Sequence, residues 1–223
     1  MTNPKFKIGQ VVYGRSLWFA GAFIPDIYTI RKSEVTDEGK VLYYVKGKRC
    51  AFEEEMFFAT EEEAQLQEVK RFKIQKKMEL DALKELAEEV GMTNDEVLAI
   101  EAGVGIQRKH KYAVGQTVYG HMDCGAYNYK PETFVITNVC EEMMDDEKFL
   151  TYRVKGHGMC TVLEEFLYPT YKDALIADIA RFKRTTKAEV RSIGQRAITL
   201  GIESQVAELL PVNEYQRLIG YNE

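Results

Sequence analysis

The chain has 223 residues, of which 45% are hydrophobic, 29% charged and 11% aromatic, a composition that excludes an intrinsically disordered chain. A formal net charge of −5 removes any global pull toward phosphate backbones, so a nucleic-acid site would have to be a local basic patch. No apolar run approaches the ~18 residues of a membrane span, and the opening MTNPKFKIGQ lacks the apolar core of a signal peptide; a cytoplasmic protein without membrane contact is expected.

The first recognisable element is KFKIGQVVYG, Lys5 to Gly14, and it returns as KYAVGQTVYG, Lys111 to Gly120. Six of the ten pairs are identical, where unrelated sequence would give about one. The correspondence continues with PDIYTI at Pro25–Ile30 and PETFVI at Pro131–Ile136. It goes on with VKG at Val45–Gly47 and Val154–Gly156, and with RFK at Arg71–Lys73 and Arg181–Lys183. The register slips by four residues on the way, within VCEEMMDDEKFLTY and near KGHGMC, and such length changes belong in hairpin connections at the surface.

After each decapeptide come short β-branched and aromatic runs: IYTI and FVIT, VLYYVKG and FLTYRVKG, RCAFEE and MCTVLEE. Their spacing predicts a small antiparallel sheet. Four or five short strands cannot bury both faces as an open sheet, so closure into a small barrel is expected. Gly9/Gly115 and Gly14/Gly120 suit turn or bulge positions that exclude a side chain.

Helical patterns follow. Thr60 and Thr170 precede acidic first turns in the manner of N-caps. Val69, Phe72, Leu80, Leu83, Ala87 and Val90 recur at three- and four-residue steps, predicting one long helix over 61–90. Its counterpart covers about 171–200, with a second capping sequence at Thr186 that could split it. Gly91 and Gly201 are placed to end both helices in the left-handed conformation. Shorter helices are predicted over Asn94–Ala102 and Ser204–Leu210. The fold class is therefore α+β, two repeats of a small antiparallel barrel followed by a long and a short helix. Repeat one covers 1–104 (barrel 5–59, helical arm 60–102) and repeat two 105–223 (barrel 111–169, arm 170–220), joined at the basic stretch GVGIQRKHK.

Several constellations could carry function. Trp18, Phe19 and Phe23 in the first half, and Tyr127 and Tyr129 in the second, fall in the long connection after the first strand. They form either a lid over the barrel end or a recognition surface for a protein partner. On the long helices Arg71, Lys73 and Lys77 coincide with Arg181, Lys183 and Lys187 at a constant offset, with Lys70, Lys76, Arg184 and Arg191 nearby. They read as a solvated face or as a patch for an acidic partner, nucleic acid included.

LAEEVGMTNDEV (Leu86–Val97) has helix-turn-helix spacing, loosely repeated through Ala197, Leu200, Gly201, Ala207 and Leu210. Asp95, Glu96 and Glu101 on its second helix would repel phosphates, so helix packing is the expected role. His121, Cys124, His157 and Cys160 have ligand-like spacing for zinc. The first half has Arg15, Trp18 and Cys50 at three matching places, however, which points instead to a plain core cysteine in the fourth strand. The four cysteines form no regular framework and fit free thiols of a reducing compartment. No Gly-rich phosphate loop, nucleophile elbow or His-Glu-x-x-His helix is present, so neither catalysis nor a cofactor is expected.

The order K-x-x-x-G-Q-x-V-Y-G, Y-x-V-K-G and F-F-A-T-E-E-E-A resembles the small Src-homology-3-like or Tudor-like barrel modules of uncharacterised phage and mobile-element proteins. It covers about sixty residues in each half and departs from them in the helical arm. The resemblance implies a non-enzymatic protein-interaction or host-modulating factor. The alternative reading is a nucleic-acid-binding protein that uses the paired basic helix faces.

Overall fold

The computed structural model describes residues 3–16, 23–101, 112–120, 129–144, 147–156 and 159–211. The fold is α+β, with two five-stranded antiparallel sheets and four α-helices among the described residues. In the first half β1 (Val11–Arg15), β2 (Pro25–Val35), β3 (Val41–Val45), β4 (Ala51–Glu53) and β5 (Phe57–Phe58) precede α1 (Glu61–Glu89) and α2 (Asn94–Ala99). The second half places β6 (Thr117–Gly120), β7 (Glu132–Met144), β8 (Glu147–Lys155), β9 (Met159–Leu163) and β10 (Leu167–Tyr168) before α3 (Tyr171–Leu200) and α4 (Glu203–Leu209). Strand order is β4-β3-β2-β1-β5 in one sheet and β10-β6-β7-β8-β9 in the other.

The opening decapeptide builds the same turn in both sheets. Gln10 N donates to Lys7 O at 3.0 Å, Gly9 between them has φ +84°, and Lys7 N donates to Gln10 Oε1 at 2.9 Å. Gln116, Gly115 (φ +88°) and Ala113 repeat the pattern. A glycine with positive φ at the third position of such a turn is what a type II turn requires. This explains why glycine and glutamine are unchanged between the two stretches. Gly14 and Gly120 are kept for a different reason, since a Cβ there would strike the carbonyl oxygen of Met56 or Phe166.

The expected barrel closure does not form. Each sheet is open, and β4 and β5, like β9 and β10, do not pair with one another among the described residues. A three-residue 3-10 turn, Glu54–Met56, carries the chain from the end of β4 to β5 at the opposite edge. Three such residues rise only about 6 Å, so the sheet must curl strongly without being sealed by hydrogen bonds. Inside the curl lie Val12, Ile30, Tyr43, Val45, Phe52 and Phe57, topped by Phe6, whose amide donates to the Tyr43 hydroxyl at 2.9 Å. The second sheet encloses Val118, Phe134, Ile136, Tyr152, Val154 and Leu167, with Tyr112 bonded in the same way to Tyr152 at 3.2 Å. The pair β7/β8 is longer than β2/β3, continuing to Met144↔Glu147, as the extra residues of VCEEMMDDEKFLTY anticipate.

Both long helices are continuous, so the capping sequence at Thr186 does not divide α3. Thr60 and Thr170 cap as expected, accepting from Glu63 N at 3.2 Å and Asp173 N at 3.1 Å. Gly91 (φ +74°) and Gly201 (φ +67°) end the helices in the left-handed conformation. Thr93 and Glu96 form a full capping box at the start of α2. In α4 the buried residue is Val206, one position before the expected Ala207, which is exposed.

Two compact units emerge, and each draws on both halves of the sequence. One is made of Met1–Lys76 with Ala188–Glu214, and the other is built on Lys77–Lys187. The helical core of the first contains Phe23, Val69, Phe72, Ile193, Ala197, Ile202 and Val206. That of the second contains Leu80, Leu83, Ala87, Met92, Val97, Tyr129, Leu175, Ile179 and Phe182. Each long helix thus serves one unit with its first half and the other with its second.

Candidate functional site

Phe23 and Tyr129, the described aromatics of the connection after the first strand, meet Arg71 and Arg181 of the basic helix face. In the first unit Phe23, just ahead of β2, is 2% exposed and meets Phe72 of α1 edge-on, with ring centroids 4.8 Å apart at 86°. The Arg71 guanidinium lies 4.4 Å from the Phe23 centroid. Arg71 Nε also donates to Glu68 Oε2 at 3.0 Å, and a second guanidinium nitrogen reaches the same oxygen. Gln65 Nε2 donates to Phe23 O at 3.0 Å, holding the segment to the helix.

The second unit repeats the plan. Tyr129 meets Phe182 at 5.4 Å and 89°, Arg181 lies 5.1 Å from the Tyr129 centroid, and its guanidinium pairs with Asp178 Oδ1 at 3.1 Å. Burial pushes the Asp178 carboxyl up to about 6, against the opposing pull of Arg181. A cation over an aromatic face contributes about 1 kcal/mol where it is partly exposed, as both guanidinium groups are, and each arginine clamps its loop aromatic to a long helix. Its charge is met by a buried carboxylate three residues earlier in the same helix.

This placement redefines several expected site residues. Phe23 and Tyr129 serve the interior of their units and present no open surface. Trp18, Phe19 and Tyr127 lie outside the described residues. Of the six basic candidates, Lys77 is exposed, Lys73, Lys187, Arg71 and Arg181 are partly buried, and Lys183 is fully buried. Lys183 Nζ donates to three backbone carbonyls at the end of α2: Val97 at 3.1 Å, Leu98 at 2.7 Å and Ile100 at 2.7 Å. These are carbonyls that a helix end leaves unpaired, and the ammonium caps them. Burial draws its pKa down to about 8.

Of the proposed zinc ligands His121, Cys124 and His157 lie outside the described residues, and Cys160 on β9 is partly buried against the core of the second sheet. Its expected counterpart as a core cysteine, Cys50, is exposed ahead of β4. Among the described residues no group of three or more His, Cys, Asp or Glu is arranged to hold a metal, and no helix is long and apolar enough to cross a membrane.

Lys76 is an interior residue, which its residue type does not announce. It is fully buried, with its ammonium 2.9 Å from Glu189 Oε2 of α3. The signal was present in the spacing, because Val69, Phe72, Lys76, Leu80, Leu83 and Ala87 form one unbroken stripe of three- and four-residue steps. The matching slot in α3 is Thr186, also fully buried.

Exposed aliphatic side chains mark the outer surface. Ile8 and Val114, at the tips of the two matching turns, are 69% and 63% exposed. On the outer face of the first sheet Ile27 is exposed opposite Tyr13, and Val11 is exposed opposite Thr29. The chain matches no family model, no curated protein and no solved structure.

Proposed function

We propose that the protein is a non-enzymatic protein-interaction factor whose two halves derive from duplication of one sheet-and-helix module, each presenting a related binding surface. The observation that carries the reading is the pair of turn tips. In both sheets an identical Gly-Gln scaffold holds up an exposed branched aliphatic, Ile8 or Val114. Such a side chain would gain by burial against a partner, and what sets these two apart is their matching place on the same turn in both sheets. Two equivalent tips on one chain suit a partner that is engaged twice, where tethering raises apparent affinity without new contacts. The phage or mobile-element setting, with a host protein as the partner, rests on the short sequence motifs alone, since the sheets do not close into barrels.

The basic helix faces support the nucleic-acid reading less well, because Arg71, Arg181 and Lys183 are committed to carboxylates, rings and carbonyls inside their own units. The test is affinity capture from the source cell with the natural chain and with an Ile8→Asp/Val114→Asp variant. Both changes lie on exposed turns and should leave the circular dichroism unchanged. A partner retained by the natural chain and lost by the variant supports the proposal. Equal retention by both sinks the turn-tip surface. Micromolar binding to oligonucleotides with a steep salt slope, without any retained protein, would favour the nucleic-acid reading.

A further inference from the structure

We infer that the two halves of the sequence are obligate partners that exchange helical arms. Residues 77–101 dock on the second half and residues 188–211 on the first, so the covalent joint between the halves is dispensable once the protein has folded. The inference is independent of the binding reading above, since it rests on which residues share each interior.

In the first unit Phe23, Val69 and Phe72 come from the first half, while Ile193, Ala197, Ile202 and Val206 come from the second. In the second unit Leu80, Leu83, Ala87, Met92 and Val97 come from the first half, and Tyr129, Leu175, Ile179 and Phe182 from the second. Neither half owns a complete helical core. Separation would expose several large apolar side chains at once, each favouring burial strongly.

Polar contacts follow the same division. Glu61 pairs with Arg196 and Lys76 with Glu189. Lys183 holds the carbonyls of Val97, Leu98 and Ile100. Each of these joins one half of the sequence to the other. A lone half would leave the buried Lys76 or Lys183 ammonium without these partners, which adds a desolvation penalty to the apolar one.

The polar slots of the two stripes reinforce the point. Lys76 and Thr186 each stand within a residue or so of the place where their helix passes from one unit to the other, after Lys76 in α1 and after Lys187 in α3. The continuous stripe therefore carries a polar residue where the helix changes partners, with an apolar docking segment on either side of it.

The experiment uses the full chain with a site-specific protease sequence inserted between Gly105 and Ile106 and cut after folding. The expected result is that both pieces elute together at the size of the uncut protein at micromolar concentration. Native mass spectrometry should give the one-to-one mass, and the pieces should reassemble after urea unfolding and dilution. Elution as two separate folded species, each keeping its helical circular dichroism, overturns the inference.

Should the cut protein precipitate, hydrogen exchange on the intact chain decides. Ile193→Ala should accelerate amide exchange at least tenfold in residues 64–76, with little change in 171–182. Acceleration confined to 171–182, within its own half, would mean that the arms do not exchange.

Discussion

In the unit that contains Phe72, the next slot of the helical stripe holds Lys76, a buried ammonium answered by Glu189 from the opposite helix. In the unit that contains Phe182, the corresponding slot holds Thr186, whose buried Oγ1 has no hydrogen-bond partner among the described residues. The buried ammonium of this unit stands instead at Lys183 and is met by three backbone carbonyls. What both units share is the aromatic pair at the stripe and the arginine over it. The apolar positions set the packing, therefore, and the charges are free to differ provided that each buried one finds a partner.

The strongest way to break this comparison is to remove the shared feature. Phe72→Ala and Phe182→Ala should each destabilise by about 3–5 kcal/mol, the usual cost of emptying a large aromatic site. Urea unfolding with exchange read separately for the two units should show the loss in the unit that carries the change. Loss of less than about 1 kcal/mol from either variant would remove the ring pair from the core.

Next comes the part that differs. Lys76→Met should destabilise by about 3 kcal/mol, because it leaves the Glu189 carboxylate facing an apolar slot, whereas Lys76→Met with Glu189→Leu should return to within about 1 kcal/mol of the natural chain. No such repair is open to Lys183→Met, since its acceptors are main-chain carbonyls; a loss of about 2–3 kcal/mol should persist in the thermal or urea midpoint. Rescue of Lys76→Met without a second change would show that its ion pair does not matter.

The smallest effect is a pH dependence at the arginine clamp of the second unit. Because burial raises the Asp178 carboxyl from 3.8 to about 6, the folded protein holds a proton between pH 4 and 6 that the unfolded chain has released. Stability contributed by this group therefore falls as pH rises through that window, by about 2 kcal/mol. Asp178→Asn should remove that part of the pH dependence in urea titrations at pH 4, 5 and 6. An identical slope in the variant would show that the carboxyl titrates normally.

Much of the architecture is legible in the residues themselves. The helix limits follow from Thr60, Thr170, Gly91 and Gly201, because capping chemistry is local and does not depend on tertiary partners. The strand positions are readable for a similar reason, since period-two alternation and β-branched side chains act over a few residues. Closure of the sheet was not, because it depends on whether two distant edges pair, and the three-residue crossing at Glu54–Met56 is no different in composition from an acidic loop.

The candidate site is not legible where long polar side chains turn inward, because such side chains on a helix are ordinarily solvated. Lys76 and Lys183 carry the same residue type as the exposed Lys77, and only their place relative to Phe72 and Phe182 separates them. Contact of Arg71 with Phe23 and of Arg181 with Tyr129 depends on how the segment after the first strand returns to the helix, which no local pattern encodes. The exchange of arms is likewise invisible to periodicity, since a stripe does not say which other helix will cover it.

An unsealed sheet has two rims where main-chain groups look outward, and such rims ordinarily invite a foreign strand to join. Here the end strands offer the three residues of β4 on one rim and the two residues of β5 on the other. A visiting peptide could form two or three hydrogen bonds before running out of template, too few to offset the entropy of straightening it. At its end strands, then, the first sheet is too brief a template to copy.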